Sequence, residues 1–223
     1  MIIGDNGHSP TGYKYREVVI DLRKLLKKYR IARIERPVHK SNQLAFSVNQ
    51  RMAYIYVLDE SLSLLPIIQM LKKDHRIDII AWKNEDGISV NIESGLRKGS
   101  LRYSPNGEYR DVYNQTWNVD GNHELLQLTS SNQNILSYGD YPDALARLYG
   151  ALHSHSGRFI VVNAKPGCEF KAQSTPFHLA GAAHGSIHRQ ESLVPLIIAG
   201  TDEKPLFPRF VDIKEFVLRL IVQ

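Results

Sequence analysis

Two loops of this sequence carry the side chains whose types and spacing could do chemistry. The first, "GDNGHS" (4–9), holds an aspartate and a histidine and follows apolar residues that predict a buried strand. The second, "FHLAGAAHGSIHRQES" (177–192), holds three histidines, of which His184 lies between small residues that let the backbone turn tightly. A carboxylate from Asp5 and an imidazole from His184 would suit Zn²⁺, which takes oxygen and nitrogen ligands.

Two ligands do not make a tight zinc site, because catalytic zinc sites usually have at least three protein ligands. The auxiliary candidates are other polar side chains of the same loops, namely Asn6, His8, His178 and His188. The competing interpretation is that these histidines are structural or simply lie at the surface. For Arg189 and Glu191 a solvated charge pair is the favoured interpretation, with orientation of the loop as the alternative. No catalytic residue is assigned, since the sequence has no GxSxG elbow, phosphate-binding loop or HExxH helix.

The composition is that of an ordinary globular protein. Of the 223 residues, 43% are apolar and 23% are charged, and the formal net charge is +5. The basic residues are scattered, which favours solvated helix faces over a nucleic-acid surface. The single cysteine, Cys168, excludes an internal disulfide and a cysteine-cluster zinc site. Together with the lack of a signal-peptide pattern and of an 18-residue apolar run, this predicts a cytoplasmic protein.

The periodicity predicts an α/β fold in two parts. Residues 1–30 and 136–223 form the predicted core, a mostly parallel sheet flanked by helices. Its predicted elements are a buried strand at 1–4, apolar strands at 158–167 and 192–200, and helices at 16–30, 141–155 and 212–222.

Residues 31–135 form the predicted insertion, an α+β cap subdomain. The strands "LAFSVN" and "MAYIYVLD", a helix at 61–75 and a hairpin with its turn at 84–87 are its regular elements. The stretch 101–139 is rich in Tyr, Asn, Asp and Gly and predicts a surface excursion that ends the insertion and has room for one more hairpin.

On these residues the sequence resembles a known family. The segment "AHGSIHRQESLVPLIIAG" (183–200) resembles the carboxy-terminal signature of the alkaline phosphatase superfamily, in its type I phosphodiesterase and nucleotide pyrophosphatase branch. The opening "MIIGDNGHS" (1–9) is similar to that superfamily's "DHG" loop, and the family often carries a cap between the two loops. The resemblance spans nearly the whole chain but only the latter part of the family's domain. It implies a partial alkaline-phosphatase-like core, and two-metal hydrolysis of phosphate esters with Zn²⁺, or else Mn²⁺ or another divalent ion, as the cofactor.

Carried over residue by residue, the resemblance implies metal ligands at Asp5 and His184. This sequence has Asn6 where the family has the histidine of "DHG", and an amide is a poorer ligand for a transition metal. The family's nucleophilic Thr or Ser and its remaining ligands lie upstream of the "DHG" loop. The expected function is therefore the carboxy-terminal part of a metal-dependent phosphohydrolase that is inactive or incomplete alone.

Other functions stay open as alternatives. One is a non-catalytic binding module, or the partner of a separately encoded amino-terminal half. A core strand at 1–4 without its usual neighbours would leave an apolar sheet edge, which predicts self-association through that edge. Nucleic-acid binding ranks third because net charge alone supports it, and no membrane partner is expected.

Overall fold

The computed structural model describes residues 1–33, 35–173 and 175–221, which form a mixed α/β structure with one large sheet and few helices. The helices are α1 (Tyr15–Val18), α2 (Leu22–Leu25), α3 (Leu65–Leu71), α4 (Ala144–His153), α5 (Arg189–Ser192) and α6 (Phe210–Ile221), and a 3-10 helix spans His123–Leu126. The strands are β1 (Ile2–Ile3), β2 (Ser9–Pro10), β3 (Val19–Asp21), β4 (Leu44–Asn49), β5 (Met52–Val57), β6 (Ile77–Lys83), β7 (Val90–Glu93), β8 (Leu101–Asp111), β9 (Thr116–Gly121), β10 (Leu128–Ser130), β11 (Ile135–Tyr138), β12 (Phe159–Ala164), β13 (Glu169–Lys171), β14 (Ala182–Ala183) and β15 (Leu196–Ile197). In these ranges, no helix combines the length and the apolar character that a bilayer span requires.

The large sheet is predominantly antiparallel. Its strand order is β10-β11-β8-β7-β6-β12-β5-β4, and β9 also pairs with β8. The pairing of β11 with β8 is parallel, whereas the other strand pairs of this sheet are antiparallel. The expectation of a mostly parallel sheet is wrong, because many neighbouring strands are consecutive in the chain and short connections make antiparallel pairs.

The central strand β12 confirms the prediction from the apolar run at 158–167. All six of its residues are buried, and it lies between β5 and β6. Because β12 comes from the predicted core while β5 and β6 come from the predicted cap, one sheet contains strands from both parts. The division of the chain at 30 and 136 stays a prediction.

Apolar clusters cover both faces of the central strands. On β12, Val161 belongs to the cluster that includes Leu148 of α4, whereas Ile160 and Val162 belong to the cluster that includes Ile68 of α3. Since successive residues of a strand point to opposite faces, α4 and α3 lie on opposite sides of the sheet. Burial on both faces is the reason that β12 is continuously apolar.

Two of the four predicted helices are confirmed within shorter bounds, as α3 for 61–75 and α4 for 141–155. The helix at 212–222 is confirmed as α6, although its last residue lies outside the described ranges. The prediction of one helix at 16–30 is wrong, because the chain forms α1, β3 and α2 there. The β-branched run at 18–20 favours a strand, and β3 pairs in parallel with β13.

The two apolar segments that flank the candidate loops form only short strands. β1 pairs with β15 in an antiparallel ladder of two residue pairs, and Ile2 is 69% exposed. The predictions of a buried core strand at 1–4 and of a long strand at 192–200 are therefore wrong. Pro195 lacks the N–H that a ladder through the second segment would need.

The stretch 101–139 belongs to the sheet, so its prediction as a surface excursion is wrong. β8 and β9 form the one hairpin that the sequence allowed for, and β10 and β11 add two further strands. Tyr103 and Trp117 are buried against the core, while polar residues between them such as Asn106, Glu108 and Arg110 are exposed. Asp111 is the exception, since it is buried and accepts from Nε1 of Trp117. The alternation of the two kinds of residue is that of a strand with one solvated face.

Candidate functional site

Asp5, Asn6 and His184 line one cleft of about 620 Å³. The cleft lies between the loop after β1 and the loop after β14, and α4, α5 and α6 contribute further lining residues. The structure therefore brings together the two residues predicted as metal ligands and one of the auxiliary candidates, although they lie at opposite ends of the chain.

A short ladder holds the two loops side by side. β2 directly follows the loop that carries Asp5, β14 directly precedes His184, and the two strands pair in an antiparallel arrangement. The ring of His8 lies edge-on against the ring of His184, with 5.2 Å between the ring centroids. His8 thus supports the imidazole of His184 from the side but is not among the residues that line the cleft.

A buried ion pair fixes both loops to the sheet. The guanidinium of Arg51, which is 0% exposed, pairs with the carboxylate of Glu191 and also donates from Nη1 to the Ser9 hydroxyl at 2.7 Å. The Glu191 carboxylate accepts from the Ser9 hydroxyl at 2.7 Å and from the backbone N–H of Ser186 at 2.6 Å. Burial lowers the pKa of Arg51 to about 10, so the guanidinium is charged at neutral pH. The interpretation of Glu191 as part of a solvated charge pair is wrong, and its alternative role in orienting the loop is confirmed.

Gln50 sets the hydrogen bonding of His184. The Gln50 Oε1 accepts from the backbone N–H of His184 at 2.9 Å, and the Gln50 Nε2 lies 3.0 Å from Nε2 of the same imidazole. Since a backbone N–H can only donate, the amide is oriented with its NH₂ toward the ring, and Nε2 of His184 must accept. The ring proton is therefore assigned to Nδ1, which has no hydrogen-bond partner among the described residues.

The backbone of the His184 loop packs directly on the turn between β4 and β5. Gly185 has φ +101°, and a Cβ at this position would lie 2.5 Å from the carbonyl oxygen of Asn49. The backbone N–H of Arg51 donates to the carbonyl oxygen of His184 at 3.0 Å. Only glycine fits this contact, so the turn at 49–51 positions both the imidazole and the loop that follows it.

The other two histidines that the sequence singled out lie away from the cleft lining. His178 contacts the fully buried carboxylate of Glu169, with 3.0 Å between Nδ1 and Oε2. His188 is nearly buried and caps α5, where its Nδ1 accepts from the backbone N–H of Gln190 at 3.4 Å. Burial is the largest of the effects that lower the pKa of His188. These contacts are structural, since both imidazoles position loops.

Arg147 brings a positive charge to the cleft. Its Nη1 donates to the carbonyl oxygens of Pro142 and Ile187 and to the hydroxyl of Ser192. Within the described ranges, no carboxylate lies at ion-pair distance from Arg147, and its Nε and Nη2 have no hydrogen-bond partner. Burial lowers the pKa of this guanidinium, which remains a cation at neutral pH.

The second arginine of the cleft is neutralised by carboxylates. Arg209 contacts Asp212 at 2.6 Å and Asp143 at 3.2 Å, and its guanidinium lies over the ring of Tyr113. Desolvation is the largest cause that raises the pKa of Asp143, and the charge of Arg209 opposes it. Arg147 is thus the cation of the cleft that has unused donors.

Sequence reasoning missed Gln50, Arg51 and Arg147. A signal existed for the first two, since "NQ" and the following Arg lie between two alternating strands and so predict a hairpin turn. Arg147 lies in "ALARLYGAL", where a charged residue within an apolar helix indicates a buried polar contact. Neither signal identifies which loop the side chain contacts.

The donor set for a metal ion is incomplete in the described part of the chain. Asp5 and His184 reach the same cleft, but no group of three His, Cys, Asp or Glu side chains is placed there, or elsewhere in the described ranges, so that it could hold a metal ion. In addition, the Gln50 amide occupies the Nε2 lone pair of His184. The described residues alone therefore do not fit a zinc centre.

The fold and the site define a mixed α/β protein with a cleft that has both polar and apolar lining residues. The cleft lies between two loops, and a buried ion pair holds these loops together. No protein-family model, curated protein or solved structure matches this chain.

Proposed function

We propose that this chain is the carboxy-terminal part of a metal-dependent phosphohydrolase, of the phosphodiesterase or phosphatase kind, with little or no activity alone. One observation carries the proposal. Asp5 and His184, the two positions that match the metal-ligand motifs of the resembled family, line the same cleft with Arg147. A cation and an imidazole N–H are donors expected around a phosphate ester, and a carboxylate is a ligand expected for a metal ion beside it.

The residues of this chain would bind and orient the ester. Arg147 and the Nδ1–H of His184 would donate to the phosphoryl oxygens, and the Arg51–Glu191 pair would keep the loops in place. Zn²⁺ or Mn²⁺, when bound, would supply stabilisation of negative charge at phosphorus, with Asp5 as one of its ligands. His184 would be a second ligand only once the Gln50 amide no longer occupies its Nε2. The other ligands would come from a complementing amino-terminal chain.

A low activity of the chain alone is supported by the hydroxyl groups of the cleft. In the cleft as described, no Ser or Tyr hydroxyl hydrogen-bonds to an imidazole, which is the usual way to activate such a nucleophile. The Ser192 hydroxyl instead accepts from Arg147, and the Ser186 hydroxyl accepts from the backbone N–H of His188.

A non-catalytic binding module is the second candidate, and the contact of Gln50 with His184 favours it. This contact uses the lone pair that a metal ion would need at Nε2 and leaves a donor at Nδ1. Such a module would bind the phosphate ester and rely on a partner for any chemistry.

Exposed apolar side chains support a protein partner. Ile2 and Ile197 of the β1–β15 ladder are exposed, as are Leu218 and Ile221 of α6. We propose that these residues meet either a complementing amino-terminal chain or a second copy of this chain.

The test is an assay of a chromogenic phosphodiester with zinc or manganese. The purified chain is measured alone and mixed with the product of the adjacent upstream reading frame. We expect turnover only in the mixture, and its loss when His184→Ala replaces the wild type. Equal turnover by the chain alone, or a mixture that neither associates nor turns over, would overturn the proposal.

A further inference from the structure

The lining of the cleft is of two chemical kinds. Its polar lining includes Asp5, Asn6, His184 and Arg147. Its apolar lining, here called the apolar wall, is formed by Leu193, Val194, Leu196, Phe210, Val211 and Ile213. A ligand that fills the whole cleft must therefore be amphiphilic.

Half of the apolar wall is exposed to solvent. Val211 is 71% exposed, and Leu193 and Phe210 are also exposed. In α6, Phe216 is the buried residue, although the helix is apolar along much of its length. Covering such a wall removes apolar surface from water, which favours binding of an apolar group.

The polar lining has donors for an anion. Arg147 keeps Nε and Nη2 free of partners among the described residues, and the Gln50 contact places a proton on Nδ1 of His184. Of the carboxylates in the cleft, Glu191 is paired with Arg51 and Asp143 with Arg209.

Asp5 opposes anion binding in part. Among the described residues it has no cationic partner, and its carboxylate accepts only from the backbone N–H of Asn6. Its negative charge in the cleft lowers the affinity for an anion, but it forms no hydrogen bond with Arg147 or His184 among the described residues.

We infer that the cleft binds an alkyl or aryl phosphate monoester without a metal ion, with the phosphoryl group at Arg147 and His184 and the apolar group along α6. This inference rests on the proposed function in one respect, that the cleft is where the ester binds. It differs in its ligand class and in needing no metal. A cleft of about 620 Å³ is of the size that holds small organic ligands.

The experiment measures binding by calorimetry in the presence of EDTA. The probes are inorganic phosphate, butyl phosphate and hexyl phosphate, with hexanol as the probe without an anion. We expect affinity to rise about two- to fourfold per added methylene, as for burial of a methylene group. Hexanol is expected to bind at least about tenfold more weakly than hexyl phosphate, because it lacks the charge-assisted hydrogen bonds.

Matched variants assign each end of the ligand. Val211→Asn should reduce the gain per methylene, whereas Val112→Asn, at an exposed valine outside the cleft, should not. His184→Ala should weaken all three phosphates by a similar factor of about five or more, and His39→Ala should leave them unchanged. Asp5→Asn should strengthen all three. Circular dichroism shows that each variant is folded.

Three results would overturn the inference. They are loss of binding when EDTA is added, equal affinity for inorganic phosphate and hexyl phosphate, and equal affinity for hexanol and hexyl phosphate. None of these depends on hydrolysis, so they are distinguishable from a failed activity assay of the proposed phosphohydrolase. Binding in EDTA without turnover in the mixed chains would support the inference and contradict the proposed hydrolase.

Discussion

The buried guanidinium of Arg51 and the carboxylate of Glu191 form an ion pair that joins the sheet to both loops of the cleft. Arg51 lies in the turn between β4 and β5, and Glu191 lies in α5. Ser9 and Ser186 are bound to the same pair, one from each loop. The position of the chemical groups in the cleft therefore depends on an interaction that lies beneath it.

Removing one member of this pair should be strongly destabilising. Arg51→Met or Glu191→Gln leaves the other charge buried and without its partner, which costs about 3–5 kcal/mol of unfolding free energy. The double variant Arg51→Met/Glu191→Leu should cost clearly less than the sum of the single variants. Urea unfolding measures all three.

The matched control for the ion pair is Glu17→Gln in the exposed pair of Lys14 and Glu17, whose side chains are 77% and 68% exposed. It should change the free energy of unfolding by less than about 1 kcal/mol. Strict additivity of the two buried substitutions would show that Arg51 and Glu191 are not coupled.

Because Gly185 packs on the carbonyl oxygen of Asn49, we expect Gly185→Ala to lower the free energy of unfolding more than Gly87→Ala does. Gly185→Ala and Gly87→Ala both place alanine at positive φ, which lowers the free energy of unfolding by roughly 1–2 kcal/mol. Only at Gly185 does the new Cβ also meet the backbone oxygen of Asn49, for roughly 1–3 kcal/mol more. Thermal unfolding of the two variants gives the comparison, and equal destabilisation would show that the loop does not pack on the turn as described.

The lowered pKa of His188 leads us to expect that the free energy of unfolding decreases in mild acid. Burial is the main cause that lowers its pKa, with Arg51 and Arg189 acting in the same direction and Asp140 and Asp78 opposing them. Because the folded protein holds this imidazole neutral, the unfolded chain binds the proton more readily, and stability is lost as the pH falls below about 6.5.

Protonation of His188 can change the free energy of unfolding by at most about 1.4 kcal/mol per pH unit. Unfolding free energies at pH 7.5, 6.5 and 5.5 measure it. His188→Asn is the matched variant, since asparagine keeps a helix cap without titrating in this range. The dependence should be flatter in this variant, and an unchanged curve would assign the acid sensitivity to other groups.

Part of the fold could be predicted from local pattern. The apolar run of β12 and the amphipathic helices α4 and α6 were identified because their periodicity reflects the faces that they bury. The helix predicted at 16–30 was wrong, since the pairing of β3 with the distant β13 overrides local propensity.

The site divides in the same way. Asp5 and His184 are candidates from the sequence because they lie in short polar loops beside apolar segments, and both line the cleft. Arg51 and Arg147 could not, since their importance comes from contacts with residues far along the chain, such as Glu191 and Ser192. Whether an acidic residue is solvated or buried, as for Glu191, is likewise decided by tertiary packing.

The most direct test is a titration of ¹⁵N-labelled protein with hexyl phosphate in EDTA, followed by amide chemical shifts. The account predicts that the largest changes occur at residues 5–6, 184–186 and 210–213, and that they disappear in His184→Ala. Changes centred instead on the basic pocket formed by Arg16, Lys73 and Lys165, or no changes at any accessible concentration, would contradict it.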